Sequence, residues 1–152
     1  MIEVSGKYHY SGAIHMHTTE SDGAVTLEQL AAIGRESQLD YMMVTDHMNL
    51  NNRTAGKEGW YGDTLVVIGY EHNDVADIHH YLIFDSPAVY PHEMSPSEYV
   101  AAAAKDGALG IIAHPDEIRD RMRNYPPYPW KDWSAVGFDG IEIWNQMSEW
   151  TE

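Results

Sequence analysis

Residues 8–47 read YHYSGAIHMHTTESDGAVTLEQLAAIGRESQLDYMMVTDH. Two apolar runs flank one amphipathic stretch, and that alternation decides the fold class. Tyr8 to Met16 predicts a strand, with Gly12 ahead of the apolar pair Ala13-Ile14. Thr26 to Gln38 predicts a helix, because Thr26 suits an N-cap and Leu27, Leu30, Ala31 and Ile33 recur at the spacing of one helix face. Tyr41 to Thr45 predicts a short buried strand.

The same alternation continues outward. Asn49 to Asp63 is polar and contains glycine, so it reads as a long loop. Thr64 to Tyr70 (TLVVIGY) and Tyr81 to Phe84 read as strands. Ser95 to Lys105 reads as a helix, with Ser95 as cap, Pro96 at the first position and Glu98 completing a capping box. Ala108 to Ala113 (ALGIIA) is a further strand, Asp116 to Trp133 an irregular excursion carrying NYPPYPW, and Phe138 to Trp144 a last strand. Strands alternating with helices predict an α/β fold with a largely parallel sheet or barrel. The 152 residues suffice for one domain with a core, and residues 1–152 are read as that single domain. A closed eight-stranded barrel takes about 250 residues, so the expected barrel is incomplete or open.

Composition narrows the function. Cysteine is absent, which excludes disulfides, thiolate catalysis and Cys-type zinc fingers. The net charge of −15 disfavours nucleic acid and anionic membrane as partners, since both need clustered basic charge. No apolar run reaches the roughly 18 residues of a membrane span and no secretory leader is visible, so the expected location is cytoplasmic. Against this background nine histidines stand out, because imidazole and carboxylate together make metal sites.

Their positions point the same way. Ile14 leads into His15-Met16-His17, Val44 into Thr45-Asp46-His47, Tyr70 into Glu71-His72, and Ala113 into His114-Pro115. Parallel α/β folds gather the carboxyl ends of their strands on one face, where active sites form. Residues i and i+2 of a strand share a face, so His15 and His17 are expected to point at one metal. Asp22 and His80 are candidates to join them, with Glu71 as the best bridging carboxylate. His79 and His80 are adjacent and face opposite ways, so at most one is expected to be a ligand. Asp46 reads as outer support that holds a ligating histidine in the right tautomer. His9, His72 and His92 read as ordinary surface or core histidines.

These residues resemble the PHP family (polymerase and histidinol phosphatase domain), a group of metal-dependent phosphoesterases. HMHTTESDG (residues 15–23) resembles the first family motif and TDH (45–47) the second. The glutamate of GYEHN, Glu71, falls where the family has its bridging carboxylate; HHYLIF (79–84), AHP (113–115) and GIEIWN (140–145) resemble later motifs. The Ser-Asp-x-His type motif that usually closes the family domain is not found among these residues.

The resemblance implies a distorted (β/α)7-type barrel, open at its C-terminal end, and hydrolysis of a small phosphorylated metabolite or nucleotide through a hydroxide shared between metals. It implies two to three divalent ions, Zn, Mn or Fe: His15, His17 and Glu71 for one, Glu71, His80 and His114 for a second, Asp22 and His47 for part of a third. His47 or Asp46 is expected to deliver a proton to the leaving oxygen. Arg119 and Arg121 are the expected phosphate binders, and the aromatics Tyr125, Tyr128, Trp130 and Trp133 form either a lid or packing around the prolines. A symmetric homo-oligomer is one way to complete an open barrel. The amidohydrolases share His-x-His, but their mid-barrel lysine has no counterpart: Lys57 falls in a loop and Lys105 in a helix.

Overall fold

The computed structural model describes residues 2–119 and 126–146. They fall into two compact units, Met1–Tyr70 and Glu71–Glu152. In chain order the first holds β1 (Ile2–Val4), β2 (Lys7–His9), β3 (Gly12–Met16), α1 (Leu27–Glu36), β4 (Tyr41–Val44), α2 (Asn51–Thr54), β5 (Gly59–Tyr61) and β6 (Thr64–Ile68).

Strands β3, β4 and β6 run parallel in one sheet, with β5 antiparallel on its edge in the order β3-β4-β6-β5. Residues 8–16 do not form the single strand expected of them. β2 pairs with β1 as an antiparallel hairpin, and the chain turns before β3 enters the sheet. Ser11 sets that break: its N–H donates to Asp40 Oδ2 at 2.8 Å and its carbonyl accepts from Asp40 N at 2.7 Å.

Helix α1 begins where Thr26 predicts, because Thr26 and Gln29 cap each other reciprocally. It ends at Glu36, short of Gln38, which adopts a left-handed backbone at φ 58°. Leu27 and Ala31 pack on Val44, Val66 and Ile68 to make the core of this unit. Burial of such a side chain stabilises by about 1.5–3 kcal/mol. Gly34 lies on the buried face, where an added Cβ would force the Met42 side chain to shift.

Residues 49–63, expected as one long loop, contain α2 and β5. A four-residue helix shows no period, and β5 (Gly-Trp-Tyr) leaves Trp60 exposed, so neither carries a pattern legible in sequence.

The second unit holds β7 (Tyr70–Asn73), β8 (His80–Phe84), α3 (Pro96–Asp106), β9 (Leu109–Ile112) and β10 (Gly140–Ile141), with sheet order β10-β9-β8-β7. The β8–β9 pair is antiparallel and β9–β10 parallel. The largely parallel sheet expected from sequence is therefore a mixed one, within a mixed α/β fold. Among the described residues neither four-stranded sheet closes into a barrel.

Strand β8 is buried along its whole length. Tyr99 of α3 packs beside Tyr81 and Trp130, with ring centroids 5.7 and 6.3 Å away. Helix α3 starts at Pro96 with the Ser95–Glu98 capping box and ends on Gly107 at φ 74°, a left-handed C-cap that glycine adopts without Cβ strain. The last strand, expected over residues 138–144, pairs only at Gly140–Ile141 with Ile111 and Ile112. No helix among the described residues is long and apolar enough to cross a membrane.

Candidate metal centre

In the first unit the ends of β3 and β4 bring three imidazoles together. The rings of His15 and His17 lie 5.2 Å apart between centroids, and those of His17 and His47 lie 4.5 Å apart. The i, i+2 rule does not place the first pair. Strand β3 ends at Met16, the β3–β4 register shifts between Ala13 and Met16, and His15 sits at φ 62°. A bulge re-aims the strand end, and a non-glycine residue in the left-handed region costs about 1–3 kcal/mol that the surroundings must hold. Met48, just after His47, is also left-handed at φ 49°.

Asp22 faces both rings, with Oδ1 3.4 Å from His17 Nδ1 and Oδ2 3.7 Å from His47 Nε2. It is mostly exposed, whereas Asp46 is buried. Asp46 accepts hydrogen bonds from Thr18 N at 2.6 Å, Thr18 Oγ1 at 2.8 Å, Ser21 Oγ at 2.9 Å and Asn52 Nδ2 at 3.2 Å. None of Thr18, Ser21 and Asn52 is a metal ligand type; Thr18 and Ser21 lie inside the HMHTTESDG stretch, and Asn52 lies in the stretch read as loop.

In the second unit one buried carboxylate faces two imidazoles. Glu71 Oε1 lies 2.8 Å from His80 Nδ1 and 3.3 Å from His114 Nε2. His80 Nε2 lies 3.3 Å from Asp77 Oδ1. Burial opposes the charged form of His80, but the hydrogen bond and charge of Glu71, with those of Asp77, outweigh it and raise its pKa above the ordinary value. His79 lies just ahead of β8, and its Nδ1 pairs with Asp74 Oδ2 at 2.6 Å. His72 is fully buried against Tyr99, ring centroids 4.3 Å apart, and burial drives its pKa down to about 4. His9 and His92 are exposed.

His114 adopts a left-handed backbone at φ 24°. Glu142 Oε2 accepts its N–H at 2.9 Å, and Glu142 N continues the ladder to Ile112 O at 2.8 Å. The chain beyond His114 folds back over this cluster. The Tyr128 carbonyl lies 3.3 Å from His114 Nδ1, and the Tyr128 ring stacks on His80 with centroids 4.7 Å apart and planes 19° apart. Buried Glu117 ties this segment: Oε2 accepts from Tyr128 N at 2.7 Å, and Oε1 accepts from Arg119 Nε and Nη2 at 2.9 and 2.7 Å. The Arg119 guanidinium lies over the Tyr128 ring, 4.8 Å from its centroid. Of the other residues expected in this excursion, Trp130 is buried in packing, Trp133 is exposed, and Arg121 and Tyr125 lie outside the described residues.

Both clusters suit a divalent ion by donor chemistry. His17 and His47 in the first unit, and Glu71 and His114 in the second, each offer ligand atoms within 4.8 Å of one another. Imidazole nitrogen with carboxylate oxygen is the donor mix of Zn, Mn and Fe sites.

No protein-family model and no curated protein matches the chain. Solved structures do. A Bifidobacterium adolescentis protein expected to be a metal-dependent phosphoesterase aligns over 93% of this chain and 82% of its own, with 16% identity and a TM-score of 0.61. A two-domain Bacteroides vulgatus protein, containing an expected PHP-like metal-dependent phosphoesterase, aligns over 88% of this chain, with 20% identity and a TM-score of 0.60. The chain spans 44% of that second protein. These likenesses show that the chain shares its mixed α/β fold with those two proteins.

Proposed function

We propose that this chain is a metal-dependent phosphoesterase that hydrolyses a small phosphorylated metabolite or nucleotide. The observation that carries the reading is the histidine-carboxylate cluster at strand ends in each unit, on a fold shared with proteins expected to have this activity. The expected ligands belong to this proposal: His15, His17, Asp22, His47, Glu71, His80 and His114 would hold two to three ions. Its support is the order of the motifs along the chain and the pairing seen inside each unit. The same reading takes residues 1–152 as one PHP-like domain with a distorted seven-stranded barrel, acting in the cytoplasm, alone or as a homo-oligomer.

Bound divalent ions would supply positive charge for phosphate oxygens and activate water at neutral pH. The chain's own residues do the rest. Buried Glu71 orients His80 and His114. In this reading His47, which faces Asp22, or Asp46 beside it hands a proton to the leaving oxygen. Arg119 keeps part of its guanidinium edge beyond its two bonds to Glu117, and that edge is the phosphate donor of this reading.

Purified protein assayed with p-nitrophenyl phosphate and Mn²⁺ or Zn²⁺ tests the activity. Turnover that disappears in Glu71→Gln supports it; bound metal without turnover makes the chain a metal-binding module instead. Elemental analysis tests the site, since at least one transition metal per chain is expected. His15→Ala with His17→Ala should remove most of it, and unchanged content would sink the assignment.

A further inference from the structure

The donors around Asp46 do more than close a turn. Asp46 precedes His47 and Thr18 follows His17, so Thr18 N and Oγ1, both bonded to Asp46, clamp the two histidine-bearing segments together. Asn52 Nδ2 spans the same pair, 3.1 Å from Thr18 Oγ1 and 3.2 Å from Asp46 Oδ2. Ser21 Oγ has one proton. Its short bond goes to Asp46 Oδ1 at 2.9 Å, against 3.4 Å to Asp22 Oδ1. That leaves a hydroxyl lone pair 3.4 Å from His17 Nδ1, beside Asp22 Oδ1 at 3.4 Å. Two acceptors therefore face one nitrogen of His17 and no donor among these three groups does. A proton on Nδ1 is stabilised there, and the lone pair is left on Nε2.

We propose that Ser21 and Asn52 are positioning residues: through Asp46 they fix the spacing of His17 and His47 and keep the His17 proton on Nδ1, so that Nε2 is presented to an ion. This rests on the metal-site reading above and deepens it. Asp46, from which sequence predicts direct support of a histidine, acts on His17 through the Ser21 hydroxyl.

The test uses the metal-free protein at about pH 8, where an ordinary imidazole is neutral. Long-range ¹H–¹⁵N correlation spectra read the His17 tautomer directly. The expected result is Nδ1–H in the wild type, a rise of the Nε2–H form in Ser21→Ala, and restoration in Ser21→Thr. Zinc titration should then show binding weakened about 10–100-fold in Ser21→Ala and Asn52→Ala, the usual effect of losing an outer support. Circular dichroism melting establishes that each variant is folded. Asn52→Ala and Ser21→Thr keep the test open should Ser21→Ala fail to fold. A His17 tautomer unchanged in Ser21→Ala, with zinc affinity kept, overturns the positioning role and leaves the metal site standing. Zinc bound by no form of the protein overturns the metal-site reading and the proposal with it.

Discussion

Glu71 Oε1 lies 2.8 Å from His80 Nδ1, and both groups are buried. Without a metal, that pair holds His80 protonated above its ordinary pKa of 6.5. A group with a raised folded pKa adds stability that is full below the unfolded pKa and fades as pH rises through the folded one. The metal-free protein should therefore lose this contribution on the alkaline side of pH 6.5. Urea unfolding across pH in the presence of a chelator reads it. Glu71→Gln should flatten the slope there and lower the His80 pKa in an NMR titration. An unchanged His80 pKa would show that Glu71 is not its partner.

Glu117 makes a second prediction, because three donors converge on one buried carboxylate. Glu117→Ala leaves the Arg119 guanidinium and the Tyr128 amide without this acceptor. Removing one member of such a pair costs about 3–5 kcal/mol, while replacing both by apolar groups costs far less. Glu117→Ala should lower stability by about 3 kcal/mol, and Arg119→Met added to it should recover part of the loss. Additive losses in that double-mutant cycle would mean the two side chains are not coupled.

Gly23 closes the loop between His17 and Asp22. A Cβ there would run into the His17 carbonyl and the Thr18 amide. Both are backbone atoms of a segment fixed by Asp46, so they cannot move aside cheaply. Gly23→Ala should cost about 1–3 kcal/mol, as overpacking does, and weaken zinc binding with it. Differential scanning calorimetry and zinc titration check the two effects, and a variant with wild-type values in both would show that the loop is looser than its contacts.

What sequence made legible was the set of strand ends. An apolar run followed by His is a local signal that β3, β4 and β9 carry, whereas Glu71, read as following one long apolar strand, stands inside β7 after β6 has ended. The capped helices were legible for the same reason, since Thr26, Ser95, Pro96 and Glu98 act on their own first turn. What stayed hidden depends on partners far along the chain. The left-handed backbone of His15 and His114 answers to strand register and to Glu142. Asn52 matters only because Thr18 and Asp46 come to it. The length of β10 is set by β9: Ile143 and Trp144 continue the apolar run but stand exposed past the end of the pairing.

His72 gives the opposite pH dependence to His80. It is wholly buried against Tyr99, and burial depresses its pKa from 6.5 to about 4. A histidine with a depressed folded pKa is kept neutral by the fold, so the unfolded chain takes up the proton first. Stability is then full above pH 6.5 and falls as pH drops toward 4. The span corresponds to about 3 kcal/mol at 1.36 kcal/mol per pKa unit. His72→Leu, close in volume and without a titrating group, should remove that acid-side loss whatever it does to stability at neutral pH. The slope of unfolding free energy between pH 6 and 4, compared between the two proteins, is the measurement. Equal slopes would mean that His72 already takes up its proton in the folded state, and that the acid sensitivity comes from other groups.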